Sequence, residues 1–566
     1  MKSSIKESRA ASIVAWASLI VTLLVTDKLS TDPVNLSKQL ALSAFAFCLI
    51  PFLLNKRETS FSALKYLYVA MGLFLIPTLI SVFLSKNAFE RGIYGSFGRN
   101  TGFLTYFSLA ILLLIVSRFR SEESFKKVIK FFVIASAFNV IYSIAASNGF
   151  DLFTWANPYN SVLGTFGNPN FIGAFMGMFA TVLFVQLFSN LSSRRHLILN
   201  LFSIVLTVYV ILLTNALQGI LVAAFGFSFS LYFYLRSSAR FSKVSLLYLV
   251  AVLLGGLVAL LGIIQKGPLA SFLYKPSVTF RGEYWRTGIN MWVDNPVFGV
   301  GIDSYGQYYR TYRSLSSTVA PGMETTTDAA HNVYIDILAG TGIFGFLGYL
   351  FLSIFILFSA LKFIRSFRNF DPVFYSLFLG WCSYQLQSLV SINQIGLAVW
   401  GWVLGGAVIG YSRMAISNQQ SADSSGVVKP RVKGKVNNDS ELLDASVLLK
   451  STICLVVGFL LALPPFMKDV SMRTFLTGKG TSEELIQLVK EWPRDSNRMS
   501  RTYVVLAQND KGLEARELAA YTTTIFPNDY SSWYALYQIA QLDTPERAAY
   551  KAKLHEIDPY NPAYFK

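Results

Sequence analysis

The sequence predicts an all-α membrane protein, a polytopic helical bundle with a large loop outside the membrane and a small C-terminal helical-repeat domain. Its composition is the first reason, since 53% of the 566 residues are hydrophobic and only 14% are charged, against about 25% charged residues in soluble proteins. Apolar runs of about 20 residues, long enough to cross a bilayer, also recur along most of the chain. Finally, lysine and arginine fall in alternate connections between these runs.

Thirteen apolar runs are predicted to span the membrane, twelve in a core and one after it. The run 10–26 resembles a signal peptide, but no small-x-small cleavage site follows it and a second span comes close behind. We therefore expect it to be retained. The predicted spans are 10–26, 38–54, 64–84, 101–118, 127–147, 170–190, 197–214, 217–235, 244–264, 334–361, 372–390, 395–411 and 446–466.

Basic residues predict the orientation, because cytoplasmic connections are enriched in lysine and arginine. The connections 118–127, 194–195 and 362–368 carry such residues, whereas 148–169 carries none. We expect a multi-pass protein of the bacterial plasma membrane, with its N-terminus in the cytoplasm and its C-terminal domain outside. The net charge of +17 then lies against the anionic inner leaflet, and nucleic acid is not an expected partner.

The chain is predicted to have four parts. Residues 1–411 form the transmembrane domain, whose outer loop 265–333 is too long to be a simple connection. Residues 412–445 are rich in polar residues without apolar periodicity and are predicted to be a disordered cytoplasmic linker. Residues 446–466 form the additional span, and residues 467–566 form the outer helical domain.

Three proline signals recur in the C-terminal domain. Pro493, Pro527 and Pro559 are 34 and then 32 residues apart, each with an aspartate close by, and this pattern is typical of helix starts. A period near 34 indicates tetratricopeptide-type helix pairs, although chance recurrence is the alternative. Because two or three such repeats are only marginally stable alone, we expect the domain to pack on the membrane domain.

The outer loop carries the candidate chemistry. His331, one of three histidines, lies where the polar loop meets an apolar helix, and such a group is a candidate general base. The alternative is an interfacial histidine satisfied by Asp328 or by backbone. Arg281 and Arg286 are candidates to bind phosphate oxygens, or else to contact lipid headgroups.

The segment around these arginines is predicted to be a short amphipathic helix on the outer surface. Arg281, Trp285, Ile289 and Trp292 share one helical face, and tryptophan is typical of the membrane interface. Asp294-Asn-Pro296 is predicted to end this helix, and Gly299-Val-Gly301 to form a turn.

Two further outer segments combine glycine with polar side chains. One contains Arg99 within residues 94–102, and the other contains Asn168 and Asn170 within residues 166–173. Polar backbone at that depth lines a cavity or is buried in protein, although each segment is equally explained as a helix cap.

Missing motifs narrow the chemistry. No GxxxxGK[ST] loop and no Asp-x-Asp pair occurs, so hydrolysis of ATP and a metal-bound nucleotide sugar are not expected. Cys48, Cys382 and Cys454 lie in apolar runs and are predicted to be buried hydrophobes. No disulfide, metal or other cofactor is expected.

These motifs together resemble the O-antigen ligase and O-antigen polymerase superfamily, which includes protein O-oligosaccharyltransferases. The resemblance covers roughly residues 60–411. It rests on the motifs Gly98-Arg99-Asn100-Thr-Gly102, Gly167-Asn168-Pro169-Asn170, Arg281 with Trp285, Asn295-Pro296, Gly299-Val-Gly301, His331-Asn332-x-Tyr334 and Gly340-x-Gly342.

The resemblance implies metal-independent transfer of a glycan from undecaprenyl pyrophosphate to a hydroxyl acceptor, in the synthesis of a cell-envelope polysaccharide. It implies that His331 takes the acceptor proton and that Arg281 stabilises the pyrophosphate. Arg286, Arg99, Asn168, Asn170, Asn332 and Tyr334 are predicted to bind substrate. Ligase, polymerase and protein glycosylation remain open, and a transporter of lipid-linked glycans is the non-enzyme alternative.

One position departs from the family pattern. Many members carry an arginine at the opening of the eighth span, where this chain has Gln218. Glutamine can donate a hydrogen bond to phosphate but brings no charge. Gln218 is therefore a predicted substrate contact, and either Arg99 or Arg286 compensates for the missing charge or the activity differs.

Overall fold

The computed structural model describes residues 2–54, 61–154, 157–189, 191, 193–424, 439–478 and 480–565. Within these ranges the secondary structure is helical, and no strand occurs. The all-α prediction is confirmed. The helices are α1 (Lys2–Leu23), α2 (Asn35–Cys48), α3 (Ile50–Leu53), α4 (Phe61–Leu84), α5 (Phe89–Tyr94), α6 (Phe103–Val116), α7 (Glu122–Ser147), α8 (Pro169–Ser189), α9 (Arg194–Leu213), α10 (Leu217–Ser237), α11 (Ser242–Ile263), α12 (Ala270–Leu273), α13 (Pro276–Asp294), α14 (Tyr305–Tyr312), α15 (Leu315–Ser317), α16 (Val333–Ser366), α17 (Pro372–Ser388), α18 (Ile395–Ser424), α19 (Asp439–Leu476), α20 (Ser482–Lys490), α21 (Ser496–Gln508), α22 (Gly512–Ile525), α23 (Tyr530–Ile539) and α24 (Pro545–Ile557).

Each of the thirteen predicted spans coincides with a helix. Ten segments of the described chain are long and apolar enough to cross a membrane. The other three predicted spans coincide with α1, α6 and α17. The helix α1 contains Lys6, Glu7 and Arg9, whereas α6 and α17 have 14 and 17 residues. The protein is therefore a multi-pass helical membrane bundle.

The helix α18 lies at the centre of the bundle. It packs against α1, α6, α16 and α17, and its membrane-spanning part is buried along its length. Trp400 packs edge-on against Phe132 and donates a hydrogen bond of 2.7 Å to the Thr22 hydroxyl. By contrast α11 is almost entirely exposed. A helix that is apolar on all sides and exposed faces lipid.

The helix α16 is broken at Gly342, so the predicted continuous span 334–361 is wrong in this respect. Gly342 has φ +68°, and a Cβ there would lie 2.2 Å from the Val297 carbonyl oxygen. The residues before the break, Val333–Thr341, form a half-helix. Its freed backbone groups are satisfied from the outer loop: Val300 N–H donates to the Ala339 carbonyl, and Ile343 N–H donates to the Pro296 carbonyl. Membrane helices break only where such partners exist.

The outer loop 265–333 is largely helical. The predicted amphipathic helix is α13, which ends at Asp294 as expected, and Gly299 and Gly301 form the predicted turn with positive φ. The face with Arg281, Trp285, Ile289 and Trp292 is not the one that packs on the protein. Tyr284, Thr287, Gly288 and Met291 are buried, because Gly288 lets α13 approach Ile335 of the half-helix.

The predicted linker 412–445 is partly wrong. The helix α18 continues to Ser424, and α19 begins at Asp439. A helix that is already nucleated extends through polar residues of good helix propensity without an apolar face. Residues 425–438 of the predicted linker lie outside the described residues.

The C-terminal domain consists of α20–α24. Asp495 and Asp529 cap α21 and α23 at the first two predicted starts. The third predicted start is wrong, because Pro559 begins no helix and a single 3₁₀ turn, Pro562–Tyr564, follows instead. As expected, the domain packs on the outer part of the membrane domain. Arg313 and Asp558, both fully buried, form an ion pair of 2.7 Å across this contact.

Candidate functional site

His331 lies at the end of the outer loop, two residues before the half-helix of α16 begins. Its backbone has φ +55°, a left-handed conformation that is uncommon outside glycine, although asparagine, aspartate and histidine adopt it more often than other residues. The turn is held because the preceding Ala330 N–H donates to the Asp336 carboxylate at 2.6 Å. The imidazole stacks on the ring of Tyr284, with centroids 5.5 Å apart. The ring therefore has a fixed position.

The imidazole of His331 is held neutral. Burial lowers its pKa to about 4, and the charges of Arg281 and Arg99 act in the same direction, against a smaller opposing effect of Asp328. A histidine that is neutral near pH 7 can accept a proton from a hydroxyl group. A neutral imidazole at this position is compatible with a general base.

Arg281 lies on α13, one helical turn before Tyr284. Burial lowers the pKa of its guanidinium. Within the part of the chain that the structure describes, this guanidinium makes no hydrogen bond and no ion pair. Its positive charge nevertheless contributes to lowering the pKa of His331. A half-buried, unpaired arginine is well suited to bind an anion such as a pyrophosphate.

Arg99 also comes close to His331 but is already paired. Its Nε and Nη2 atoms donate to the two oxygens of Asp328 at 2.7 and 2.8 Å. Asp303 fixes the loop that carries Arg99, because its carboxylate accepts hydrogen bonds from the backbone N–H groups of Ser96 and Thr101. Burial raises the pKa of Asp303 to about 6. Arg99 and Asp328 thus form a fixed charged pair beside the imidazole.

Arg286 lies on a different side of α13 from Arg281. It is exposed, it contacts Glu283 at 3.7 Å, and it donates to the Ser316 hydroxyl at 3.2 Å. Five positions along a helix of 3.6 residues per turn separate the two arginines, so their side chains diverge. The structure does not pair Arg286 with His331.

Asn332 and Tyr334, predicted to bind substrate, use their polar atoms within the protein. The Asn332 side chain caps α16 by accepting from two backbone N–H groups, and its amide donates to the Leu389 carbonyl at 2.9 Å. The Tyr334 hydroxyl donates to the side-chain oxygen of Gln385 at 2.8 Å and lies 3.0 Å from the Ser353 hydroxyl. Both residues hold the half-helix in place.

Asn168, Asn170 and Gln218 lie at the starts of α8 and α10. Asn168 accepts from the Asn170 N–H, which is a helix-cap geometry. Gln218 is 5% exposed, and neither polar atom of its side-chain amide has a hydrogen-bond partner in the described chain. No hydrogen bond between described residues joins these three side chains to His331 or Arg281. Lys275, rather than Arg99 or Arg286, contacts the start of α10, by donating to the Asn215 carbonyl at 3.0 Å.

Sequence reasoning assigned no role to four residues of this region. Tyr284 stacks on His331, Asp303 and Asp336 hold the loops that carry Arg99 and His331, and Lys275 lies near Gln218. Only Tyr284 had a signal in the sequence, since it follows Arg281 by one helical turn. The others are contacts between distant parts of the chain.

Comparison with known protein families supports the resemblance. Residues 202–350 match the family model described as O-antigen ligase. The matched segment is therefore similar to O-antigen ligases. It runs from α9 into α16 and includes Gln218, Arg281, Arg286 and His331, whereas Arg99, Asn168 and Asn170 precede it. No curated protein matches the chain.

Proposed function

We propose that this protein transfers a glycan from undecaprenyl pyrophosphate to a hydroxyl acceptor on the outer face of the bacterial plasma membrane. The observation that carries the proposal is that the neutral imidazole of His331 lies close enough to Arg281 for the guanidinium to lower its pKa, while that guanidinium makes no ion pair among the described residues. A base beside a free cation fits attack by a hydroxyl on a sugar whose leaving group is a diphosphate.

In this mechanism His331 takes the proton of the acceptor hydroxyl as its oxygen attacks the anomeric carbon. The new carbon–oxygen bond forms while the bond to the pyrophosphate oxygen breaks, and the configuration at that carbon inverts. Undecaprenyl pyrophosphate leaves with the bonding electron pair, and Arg281 stabilises the added charge. The proton on the imidazolium then passes to solvent or to the departing diphosphate. The charge of Arg281 takes the place that a metal ion has in other transferases.

The orientation belongs to the same proposal. The loop that carries Arg99, the loop that carries His331 and the C-terminal domain contact one another, so they share one side of the bundle. The connections rich in lysine and arginine, 118–127, 194–195 and 362–368, lie on the opposite side and are expected in the cytoplasm together with the N-terminus. The side with the candidate site then faces the outside of the cell. The 34-residue spacing of the caps Asp495 and Asp529 supports a tetratricopeptide-like C-terminal domain.

Two variants test the proposal. Asparagine at position 331 keeps the left-handed backbone, which asparagine tolerates well, but removes the base. We expect His331→Asn and Arg281→Gln each to insert normally and to lose glycan transfer by at least about a hundredfold. The matched control is His196→Asn, since His196 is exposed and hydrogen-bonds only Ser193 among the described residues. Full transfer by both site variants would refute the assignment.

The accumulating donor separates the related activities. Loss of a ligase leaves full-length glycan on the lipid carrier, loss of a polymerase leaves single repeat units, and loss of a protein glycosyltransferase leaves unmodified protein acceptors. Transfer by the purified protein in detergent, with lipid-linked donor and acceptor in one phase, excludes the transporter alternative. A transporter needs two compartments, whereas a transferase does not.

A further inference from the structure

A polar cavity lies between the C-terminal domain and the outer loop. It has a volume of about 350 Å³ and is open to solvent, and this volume lies within the range of about 300–1,000 Å³ seen for ligand pockets. We call it the interdomain groove. The loop after α5, the helix α14, the segment 324–328 and the helix starts of α21 and α23 all contribute to it.

The lining of the interdomain groove consists mainly of hydroxyl, amide and aromatic groups. Gln307, Asn497 and Asn528 supply amides, and Phe97 and Tyr530 supply ring faces. Both side-chain polar atoms of Gln307 are buried and have no hydrogen-bond partner in the described chain. Buried polar groups without partners are costly, so the side-chain amide of Gln307 at the groove wall has unused hydrogen-bonding capacity for a polar ligand.

Ion pairs on both sides hold the interdomain groove open. Arg310 at its wall is held by Asp558 at 2.9 Å and lies over the Tyr530 ring at 4.0 Å. On the other side Arg494 of the C-terminal domain pairs with Glu90 of α5 at 2.9 Å. Ion pairs on both sides therefore keep the two walls of the groove at a fixed separation.

The groove borders the candidate active site at Asp328. Asp328 lines the groove, pairs with Arg99, and its charge acts on His331, three residues further along the chain. Asp328 and Arg99 also line a second, smaller pocket together with Asp303 and Asp336. The groove is therefore within reach of a long chain molecule that reacts at His331.

We propose that the interdomain groove binds the sugar chain of the glycan, several units away from the reacting carbon. This proposal rests on the proposed function. Amides, hydroxyls and ring faces are the groups that hydrogen-bond and stack on a neutral polyhydroxylated ligand. Charges of both signs line the groove, from Arg91 and Arg310 to Glu324 and Asp529. This lining favours a sugar chain over an apolar lipid tail or a strongly charged peptide.

The test uses the full-length protein purified in detergent. The probe is the soluble oligosaccharide released from the host's lipid-linked glycans by mild acid, and binding is measured by saturation-transfer NMR. We expect Gln307→Leu and Asn497→Ala each to weaken binding by about three- to tenfold, the effect of one or two lost hydrogen bonds. Asn497 is exposed, so its replacement leaves folding intact. The matched control is Gln541→Leu, at an exposed position of the C-terminal domain that does not line the groove.

Unchanged binding in both groove variants would overturn the proposal. So would a serine- and threonine-rich acceptor peptide that binds to the wild type and is lost in Gln307→Leu while the sugar chain still binds, since the groove would then hold a protein. His331→Asn separates the two proposals. It should bind the oligosaccharide as the wild type does and yet fail to transfer it. Retained transfer by His331→Asn refutes the proposed function without touching the groove.

Discussion

At the scale of single residues, neighbouring positions of the candidate site have different roles: His331 is the candidate base, whereas Asn332 and Tyr334 hold the half-helix in place. His331 is half-buried, left-handed and neutral, and its ring is stacked on Tyr284. Its neighbour Asn332 caps the following half-helix, and Tyr334 anchors that helix to Gln385. Strained backbone at a candidate base is typical of functional sites, where the surrounding structure stabilises it.

The first prediction concerns pH. Burial and the nearby arginines lower the pKa of His331 to about 4, below the ordinary value of about 6.5. The base works when neutral, so kcat/KM should stay constant as the pH falls through 6.5 and decline only as it approaches 4. A bound diphosphate favours the imidazolium and raises this pKa, so the decline in kcat should begin at a higher pH. The measurement is the pH profile of transfer by purified protein.

The control for this profile is Asp303→Asn, because burial raises the pKa of Asp303 to about 6. A decline near pH 6 that disappears in Asp303→Asn belongs to that carboxylate. A decline in kcat/KM near pH 6.5 that persists in the variant would contradict a neutral, buried base at position 331.

The second prediction concerns the loop that carries Arg99. In Asp303→Ala, the backbone N–H groups of Ser96 and Thr101 lose their acceptor, at a cost of about 1–3 kcal/mol for each N–H left unsatisfied. We expect a lower thermal unfolding midpoint and reduced transfer, because Arg99 and Asp328 lose their fixed position. Asp303→Asn keeps one acceptor oxygen and should lose less. Equal midpoints in both variants and the wild type would show that Asp303 does not support this loop.

At the scale of elements, the broken helix α16 and the amphipathic helix α13 build the site together. The half-helix Val333–Thr341 presents its N-terminus and His331 outward, while the turn at Gly299 supplies hydrogen bonds to its end. The close approach at Gly288 brings α13, with Arg281 and Tyr284, against this half-helix. A continuous span would have left the first turns of α16 without these contacts.

The third prediction tests this break. A Cβ at Gly342 would lie 2.2 Å from the Val297 carbonyl oxygen, and the backbone there has positive φ. We expect Gly342→Ala to lower the unfolding midpoint and to abolish most of the transfer activity, because the loop 296–301 is pushed away from the half-helix. Gly255→Ala is the control, since nothing lies within 4 Å of the added carbon in α11 and alanine favours helix. Wild-type activity in Gly342→Ala would contradict a structural need for the break.

At the scale of the whole molecule, the C-terminal domain is an integral part of the face that carries the candidate site. Asp558 is fully buried and accepts hydrogen bonds from Arg310 and Arg313 of the outer loop. Removing one partner of a buried ion pair costs about 3–5 kcal/mol, because the other charge is left uncompensated. The contact therefore couples the domain to the loop that carries the candidate site.

The fourth prediction follows from this coupling. Asp558→Asn should release the C-terminal domain, so that trypsin cleaves α20–α24 faster while the membrane bundle stays intact. Glu517→Gln is the control, because Glu517 is exposed on the same domain. Equal cleavage rates in Asp558→Asn and Glu517→Gln would show that this ion pair does not hold the domain.

Much of the fold could be predicted because the bilayer imposes a simple requirement on the sequence. A run of about 20 apolar residues crosses the membrane as a helix whatever surrounds it, and the thirteen predicted runs are helical. The features that could not be predicted depend on contacts with neighbouring segments. The break at Gly342 depends on the loop 296–301, and the buried face of α13 depends on the contact of Gly288 with Ile335.

The sequence by itself determined the helical membrane architecture, the resemblance to the O-antigen ligase superfamily and the choice of His331 and Arg281 as candidates, because composition and local motifs carry that information. Only the tertiary structure decided that Arg281 is unpaired among the described residues whereas Arg99 is bound to Asp328, and that a polar groove lies between the outer loop and the C-terminal domain. The physical reason is that pairing, burial and cavity shape depend on residues far apart in the chain, and the spacing of residues along the sequence does not encode which of them will meet.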